Sequence, residues 1–271
     1  MSVNLIGNEV TLMALDSLLT VFALLFGLVL GSFLNVCIYR LPRHESIIHP
    51  PSTCPQCGKR IKFYDNIPLV SYIFLLGKCR FCRNPISIRY PVVELITGLL
   101  STALFIKFGL RPEYLAFMAF STSLVVISFI DLDHQIIPDV LSIPGIPLGL
   151  GLSFFTWTEI SWLESLIGIV GGGGFLFLVA VVFERLTGKE GMGFGDVKLL
   201  AMIGAWMGWR ALPFVILMSS LAGILIGGGA LLLSGRGYRT RIPFGPFLAL
   251  GALIYFFFGK DLIMWYYRML I

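Results

Sequence analysis

The sequence predicts an all-α polytopic membrane protein of about eight transmembrane helices, with a small metal-stapled loop between the first two. Three observations carry this reading. Of 271 residues, 57% are hydrophobic and only 13% charged, with a mean hydropathy of +0.89; soluble domains carry about 25% charged residues. Several apolar stretches approach the ~20 residues that cross a bilayer as a helix. Four of the five cysteines fall in two close pairs within the one long polar stretch. The same composition excludes disordered, collagen-like and secreted disulfide-rich classes.

The first apolar run extends from about Leu18 to Ile38 and is followed by Arg40 and Arg43. A cleaved signal peptide would carry its basic residues before such a run, and residues 1–17 hold Glu9 and Asp16 but no Lys or Arg. Further spans are expected near 91–108, 113–130, 140–156, 165–183, 197–209, 212–233 and 244–267. Positive charge then sets the orientation. With the N-terminus outside, fifteen of the twenty Lys and Arg residues fall in cytoplasmic loops, Lys189, Arg236, Arg239 and Arg241 among them, and five fall outside. The net charge of +5 therefore reports topology and contact with lipid headgroups, and no nucleic-acid partner is expected. Glycines four residues apart, at Gly145/Gly149, Gly168/Gly172, Gly204/Gly208 and Gly223/Gly227, are expected to let helices approach closely.

Residues 40–89 form the one sizeable extramembrane piece, too short to bury a core of its own. Cys54-Pro-Gln-Cys57 and Cys79-Arg-Phe-Cys82 are separated by twenty-one residues. Each pair can place two thiolates on one metal, and two pairs complete a tetrahedral zinc site with no open position for water, hence a structural one. Disulfide chemistry is the competing reading, and it would need an oxidising face, whereas the charge bias puts the loop on the reducing side. His44 and His49 could replace a ligand, but four cysteines already suffice. Cys37, within the first span, reads as a small packing residue.

Carboxylates at membrane depth are costly and point to function. The run Asp131-Leu-Asp133-His134-Gln-Ile-Ile-Pro-Asp139 ends the third span, and Gly193-Phe-Gly195-Asp196-Val-Lys198 opens the sixth on the same side. Two aspartates at one depth on different helices can share a proton, one activating water while the other polarises a peptide carbonyl. Asp133 and Asp139 read equally well as a solvated helix end. Metal ligation by these acids would want a third ligand such as His134, which otherwise reads as solvated. Lys198 either holds Asp196 ionised or reaches to the interface, and Glu94, opening the second span, reads first as a helix cap.

These motifs, together with Gly31-Ser-Phe-Leu-Asn-Val36, Tyr39-Arg-Leu-Pro42 and Ile88-Arg-Tyr-Pro-Val-Val-Glu94-Leu, resemble the bacterial type IV prepilin peptidases, which are also N-methyltransferases, over nearly the whole chain. The resemblance implies a membrane aspartyl protease of the Gly-x-Gly-Asp type. It implies Asp131 and Asp196 as the catalytic pair, because the family pattern places its first acid seven residues before the Ile-Pro proline, here Pro138; Asp133 is the fallback. It also implies removal of the basic leader of type IV prepilins or type II secretion pseudopilins at the cytoplasmic face of the inner membrane. Methylation of the new N-terminus by S-adenosylmethionine follows, with Gly77 matching a glycine linked to that activity. No Gly-rich cofactor fingerprint follows a strand, so the methyl donor enters on resemblance alone. The expected division is a first transmembrane helix at 1–39, a cytoplasmic zinc loop at 40–89 and a seven-helix protease core at 90–271. A zinc-stapled assembly scaffold and an ion transporter are the readings to be separated from it.

Overall fold

A computed structural model of the chain describes residues 2–155, 160–188, 193–229 and 243–270. Eight long helices occur near the eight expected positions, and among the described residues there is no β-strand. They are α1 (Ser2–Arg40), α3 (Arg89–Phe108), α4 (Pro112–His134), α5 (Asp139–Leu152), α6 (Trp162–Thr187), α7 (Phe194–Met207), α8 (Leu212–Ala222, continued by a π-turn over Gly223–Gly228) and α9 (Gly245–Leu270). A short helix, α2 (Val70–Phe74), lies inside the 40–89 loop.

Six segments are long and apolar enough to cross a membrane by length and composition. The two shorter helices, α5 and α7, have 14 residues each, about 21 Å at the ~1.5 Å rise of an α-helix and so short of the ~30 Å hydrocarbon core. Both begin beside the acidic loops. Among the described residues, eight helices stand near the expected positions, while six segments meet the length of a full span. The first helix also starts earlier than the apolar run, at Ser2. The end of the fourth expected span at 156, the end of the seventh at 230–233, and Lys189, Arg236, Arg239 and Arg241 lie outside the described residues.

The chain divides into two compact units, Met1–Thr122 and Ser123–Ile271. In the first, α1 and α3 run in close contact because small residues face each other. A Cβ on Gly27 would lie 2.5 Å from the Ser101 Cβ, and one on Gly31 would lie 2.7 Å from the Glu94 Cα. Ser101 Oγ donates to the Ala23 carbonyl at 2.6 Å and lies 2.7 Å from the Tyr114 hydroxyl, which ties α1, α3 and the start of α4 together. Hydrogen bonds and small-residue contacts carry such packing in lipid, where apolar burial offers little drive.

In the second unit, α7 is the central helix, with Leu199, Leu200, Ile203 and Ala205 fully enclosed. Gly168 of α6 and Gly204 of α7 meet so closely that a Cβ on either would lie 2.2 Å from the other's carbonyl oxygen. Ser165 Oγ donates to the Ala205 carbonyl and Trp206 Nε1 to the Gly145 carbonyl, fixing α6 and α5 against α7. Gly223 behaves differently from the other spaced glycines: a Cβ there would make only ordinary contact, 3.6 Å from the Phe247 ring. The outer faces carry exposed Leu163, Ile167, Val170 and Leu178 on α6, the apolar surface that lipid would cover.

Candidate functional site

The second unit gathers the acids. Asp131 sits in the last turn of α4 and is 5% exposed, and its Oδ2 accepts the Gly245 N–H at 2.9 Å. Gly245 opens α9, with Pro246 following it in the first turn, so its N–H is one that the helix itself does not use. A Cβ there would stand 2.7 Å from Asp131 Oδ2, so a side chain at this position would have to displace the carboxylate. Asp196 lies in the first turn of α7, half-buried, close enough for the charge of Asp131 to act on it. Ile137 fills the space beside them. A Cβ on Gly195 would meet the Ile137 Cβ at 2.9 Å, and one on Gly245 would meet its Cδ1 at 3.4 Å. The backbone of Gly195 can therefore approach the α4–α5 loop as a bulkier residue could not, bringing the neighbouring Asp196 up to Asp131.

The other polar residues of these loops separate from the pair. Asp133 and His134 are exposed, one half-turn and nearly a full turn beyond Asp131. Lys198 is ion-paired with Asp139 at the start of α5. It therefore neither holds Asp196 nor simply reaches to the interface: it braces the two acidic loops against each other. Gly245 and Ile137 were not singled out from the sequence. The Pro243-Phe-Gly245-Pro246 string was the available signal for a helix start with a close backbone approach.

In the first unit the four paired cysteines converge, with one sulfur from each lying within 4.8 Å of all the others and Cys54 Sγ 3.9 Å from Cys82 Sγ. Zinc–sulfur bonds of ~2.3 Å at tetrahedral angles place sulfurs ~3.8 Å apart, so the donor set fits a zinc tetrathiolate. The two pairs are built alike. Cys54 N–H donates to Lys59 O at 2.9 Å and Cys79 N–H to Asn84 O at 2.9 Å; Gly58 N–H returns to Cys54 O and Arg83 N–H to Cys79 O. Each turn needs positive φ at its fifth residue, +69° at Gly58 and +60° at Arg83. Isolated bridges at Thr53–Arg60 and Lys78–Pro85 close the two hairpins. The backbone N–H groups of Cys82 and Phe81 pull the Cys79 thiol down to about 7. At Cys82 the Asn84 N–H acts in the same lowering sense, but burial and the neighbouring thiols win and push it up to about 11. All five cysteines are free thiols.

Beneath the hairpins lies a cavity of about 570 Å³, lined among others by Asn35, Arg40, Arg60, Tyr72, Tyr90 and Glu94. Glu94 does not cap its helix. It lies in the second turn of α3, 8% exposed, and its Oε2 accepts the N–H of Leu69 at 2.8 Å, reaching across to the turn that starts α2. Leu69 adopts φ +58° to present that N–H. Arg40 donates to the carbonyls of Ser46 at 2.8 Å and Pro50 at 2.6 Å, pinning the chain as it leaves α1. Asp65 and Arg80 form a two-pronged pair with Arg80 Nε 2.9 and 3.0 Å from the two carboxylate oxygens, and the guanidinium holds the Asp65 carboxyl below the usual range. Gly77 is not on the cavity wall. It packs behind Tyr72, where a Cβ would lie 3.0 Å from the Tyr72 hydroxyl, and its φ is +66°.

Comparison with known proteins adds the family. Residues 25–108 match the bacterial peptidase A24 N-terminal domain and residues 118–228 the type IV leader peptidase family. A protein of Aeromonas hydrophila, "Prepilin leader peptidase/N-methyltransferase", is 42% identical over 268 residues, covering 89% of this chain and 91% of that protein. Proteins of the same name from Pseudomonas putida and Pseudomonas aeruginosa are 39% and 41% identical, covering 89% and 90% of this chain and 91% of each relative. No solved structure matches. With both halves matched in order and about two in five residues shared along nine-tenths of the chain, this protein belongs to the type IV leader peptidase family.

Proposed function

We propose that the protein removes the basic leader of type IV prepilins or type II secretion pseudopilins at the cytoplasmic face of the inner membrane, and N-methylates the residue exposed by the cut. The observation that carries the cleavage reading is the convergence of Asp131 and Asp196 from two helices, with the Gly245 N–H on one of them. Two carboxylates that close share one proton, because both cannot ionise cheaply. The ionised member draws a proton from water as it attacks the scissile carbonyl, and the protonated member hydrogen-bonds the carbonyl oxygen as negative charge develops there. Asp131 rather than Asp133 fits this role, since Asp133 is exposed.

Residues 40–89 are read as a cytoplasmic domain whose Cys54, Cys57, Cys79 and Cys82 hold one structural zinc. The donor set supports a closed site, which would contribute folding energy to a loop with little core. Zinc measured in gently purified protein at one per chain, falling with Cys57→Ser together with thermal stability, is the expected result; no zinc, or a disulfide at Cys54, overturns it.

S-adenosylmethionine supplies an activated methyl group for the second activity. The relatives' names support it, and the unpartnered Asn35 Oδ1 under the cysteine hairpins is compatible with it. The decisive experiment incubates purified protein with a synthetic prepilin N-terminal peptide, with and without S-adenosylmethionine, and reads product masses. Cleavage in both reactions and one added methyl only with the donor are expected. An uncut peptide with well-folded protein would remove the protease reading and leave the scaffold or transporter.

A further inference from the structure

The cavity beneath the cysteine hairpins is lined by two buried acceptor groups, Asn35 and Glu94, that no cation pairs with among the described residues. Asn35, 2% exposed, donates through Nδ2 to the carbonyls of Gly31 at 3.3 Å and Tyr90 at 3.1 Å, while its Oδ1 has no hydrogen-bond partner among the described residues. Glu94 lines the same cavity, its carboxylate accepting the Leu69 N–H and the Ser32 hydroxyl, and among the described residues no cation is paired with it. Arg40 lines the cavity too, but its guanidinium is directed to the Ser46 and Pro50 carbonyls. A buried carboxylate and a buried amide oxygen lining one cavity, neither paired with a cation among the described residues, make a seat for a cationic centre.

The remaining walls narrow the ligand. Tyr72 and Tyr90 are the aromatic residues placed to stack a flat ring, and Arg60 brings positive charge to the lining. The volume of about 570 Å³ lies within the ~300–1,000 Å³ of pockets that enclose a small organic ligand. One molecule required by a peptide N-methyltransferase combines a flat purine, an amino-acid carboxylate and a positively charged sulfur. We propose that this cavity is the site of the S-adenosyl methyl donor, with its sulfonium seated on Glu94 and Asn35 Oδ1 and its adenine against the tyrosine rings. The assignment rests on the methyl-transfer reading above. It also gives Gly77 a physical part: a side chain there would press on Tyr72, and through it on the cavity wall.

The product thioether, S-adenosylhomocysteine, has nearly the same shape and no charge on sulfur, which separates the seat from mere fit. Both compounds are titrated against the purified full-length protein in detergent micelles by equilibrium dialysis. Glu94→Gln keeps an oxygen for the Leu69 N–H and removes only the charge. It is expected to weaken S-adenosylmethionine by about tenfold or more, in line with the worth of a charged hydrogen bond, and S-adenosylhomocysteine by no more than about twofold. Equal loss of both compounds, or loss of neither, overturns the sulfonium seat. If the unaltered protein binds neither compound, the methyl-transfer reading itself has failed, which is a different result. Ultraviolet cross-linking of labelled S-adenosylmethionine to the unaltered protein does not depend on how well the variant folds. Adducts on peptides spanning residues 32–40 or 60–94 are expected, and adducts confined to residues 123–271 overturn the placement.

Discussion

Both units bury a carboxylate on a long helix and hold it with one backbone N–H from a distant turn, yet the two arrangements suit different chemistry. Glu94 takes its N–H from Leu69, a leucine in a positive-φ turn, and then lines an open cavity whose neighbouring Asp65 is held by Arg80, so that no second acid acts on Glu94. Asp131 takes its N–H from Gly245, where the contact is so close that a side chain would have to displace the carboxylate, and then faces Asp196. A lone acid above a cavity can hold a cation. Paired acids share a proton and can cut a peptide bond. The anchoring device is common to both, and the neighbour decides what the acid does.

Removing the neighbour tests this most severely. Asp131→Asn and Asp196→Asn should each reduce leader cleavage by on the order of 10³-fold, with the double variant little worse because the two act as one unit. Asp139→Asn and Asp133→Asn should retain most turnover, in an assay that normalises to folded protein. Should Asp133→Asn abolish cleavage while Asp131→Asn spares it, the pair is Asp133 with Asp196 and the contrast with Glu94 must be redrawn.

Disturbing the anchor instead of the acid should cost less. Gly245→Ala places a methyl 2.7 Å from Asp131 Oδ2 and must shift the carboxylate; displacement of ~1 Å in a catalytic group costs about 10²-fold in rate. Steady-state kinetics should show the loss in kcat more than in KM. An unchanged kcat would mean that the Gly245 contact is dispensable.

In the first unit, Gly77→Lys combines an unfavourable φ with pressure on Tyr72. Methylation should fall by about tenfold or more, since a displaced binding wall loses oriented contacts, while the leader is still cut. Loss of both activities at normal expression would break the separation between the two units' chemistry.

The smallest effect concerns Asp65 and Arg80. Because Arg80 holds the Asp65 carboxyl below its ordinary value, the pair contributes stability above the unfolded carboxyl's pKa of ~3.9 and loses it as pH falls through the lowered folded value. The thermal midpoint of the unaltered protein should exceed that of Asp65→Asn by a small, constant margin above pH ~5, and the margin should vanish in stronger acid. Taking the difference between variants cancels acid effects common to both proteins, at the four-cysteine cluster among them. A margin that grows toward acid would have the wrong sign for this pair.

Much of the site was legible before any fold. Two cysteine pairs at the spacing of metal turns define four ligands through local geometry alone, and they converge as local rules require. The helices were legible because apolar length is a one-dimensional property, which showed α7 to be short but did not reveal that α5 is only 14 residues long. Acids at membrane depth were visible as anomalies, but spacing could not separate Asp131 from Asp133. Burial does so, and burial depends on what α9 and the α4–α5 loop bring against α4.

The amino-acid sequence by itself determined a helical membrane protein, a four-cysteine loop and a short set of candidate acids, because composition, run length and short-range spacing are written along one chain. Tertiary structure decided the partners: Gly245 for Asp131, Asp139 for Lys198, Leu69 for Glu94, separated from them by between 25 and 114 positions. Those pairings depend on which turns the helices carry into contact. No local pattern records that, because a backbone N–H is the same group at every position until packing buries it beside a charge.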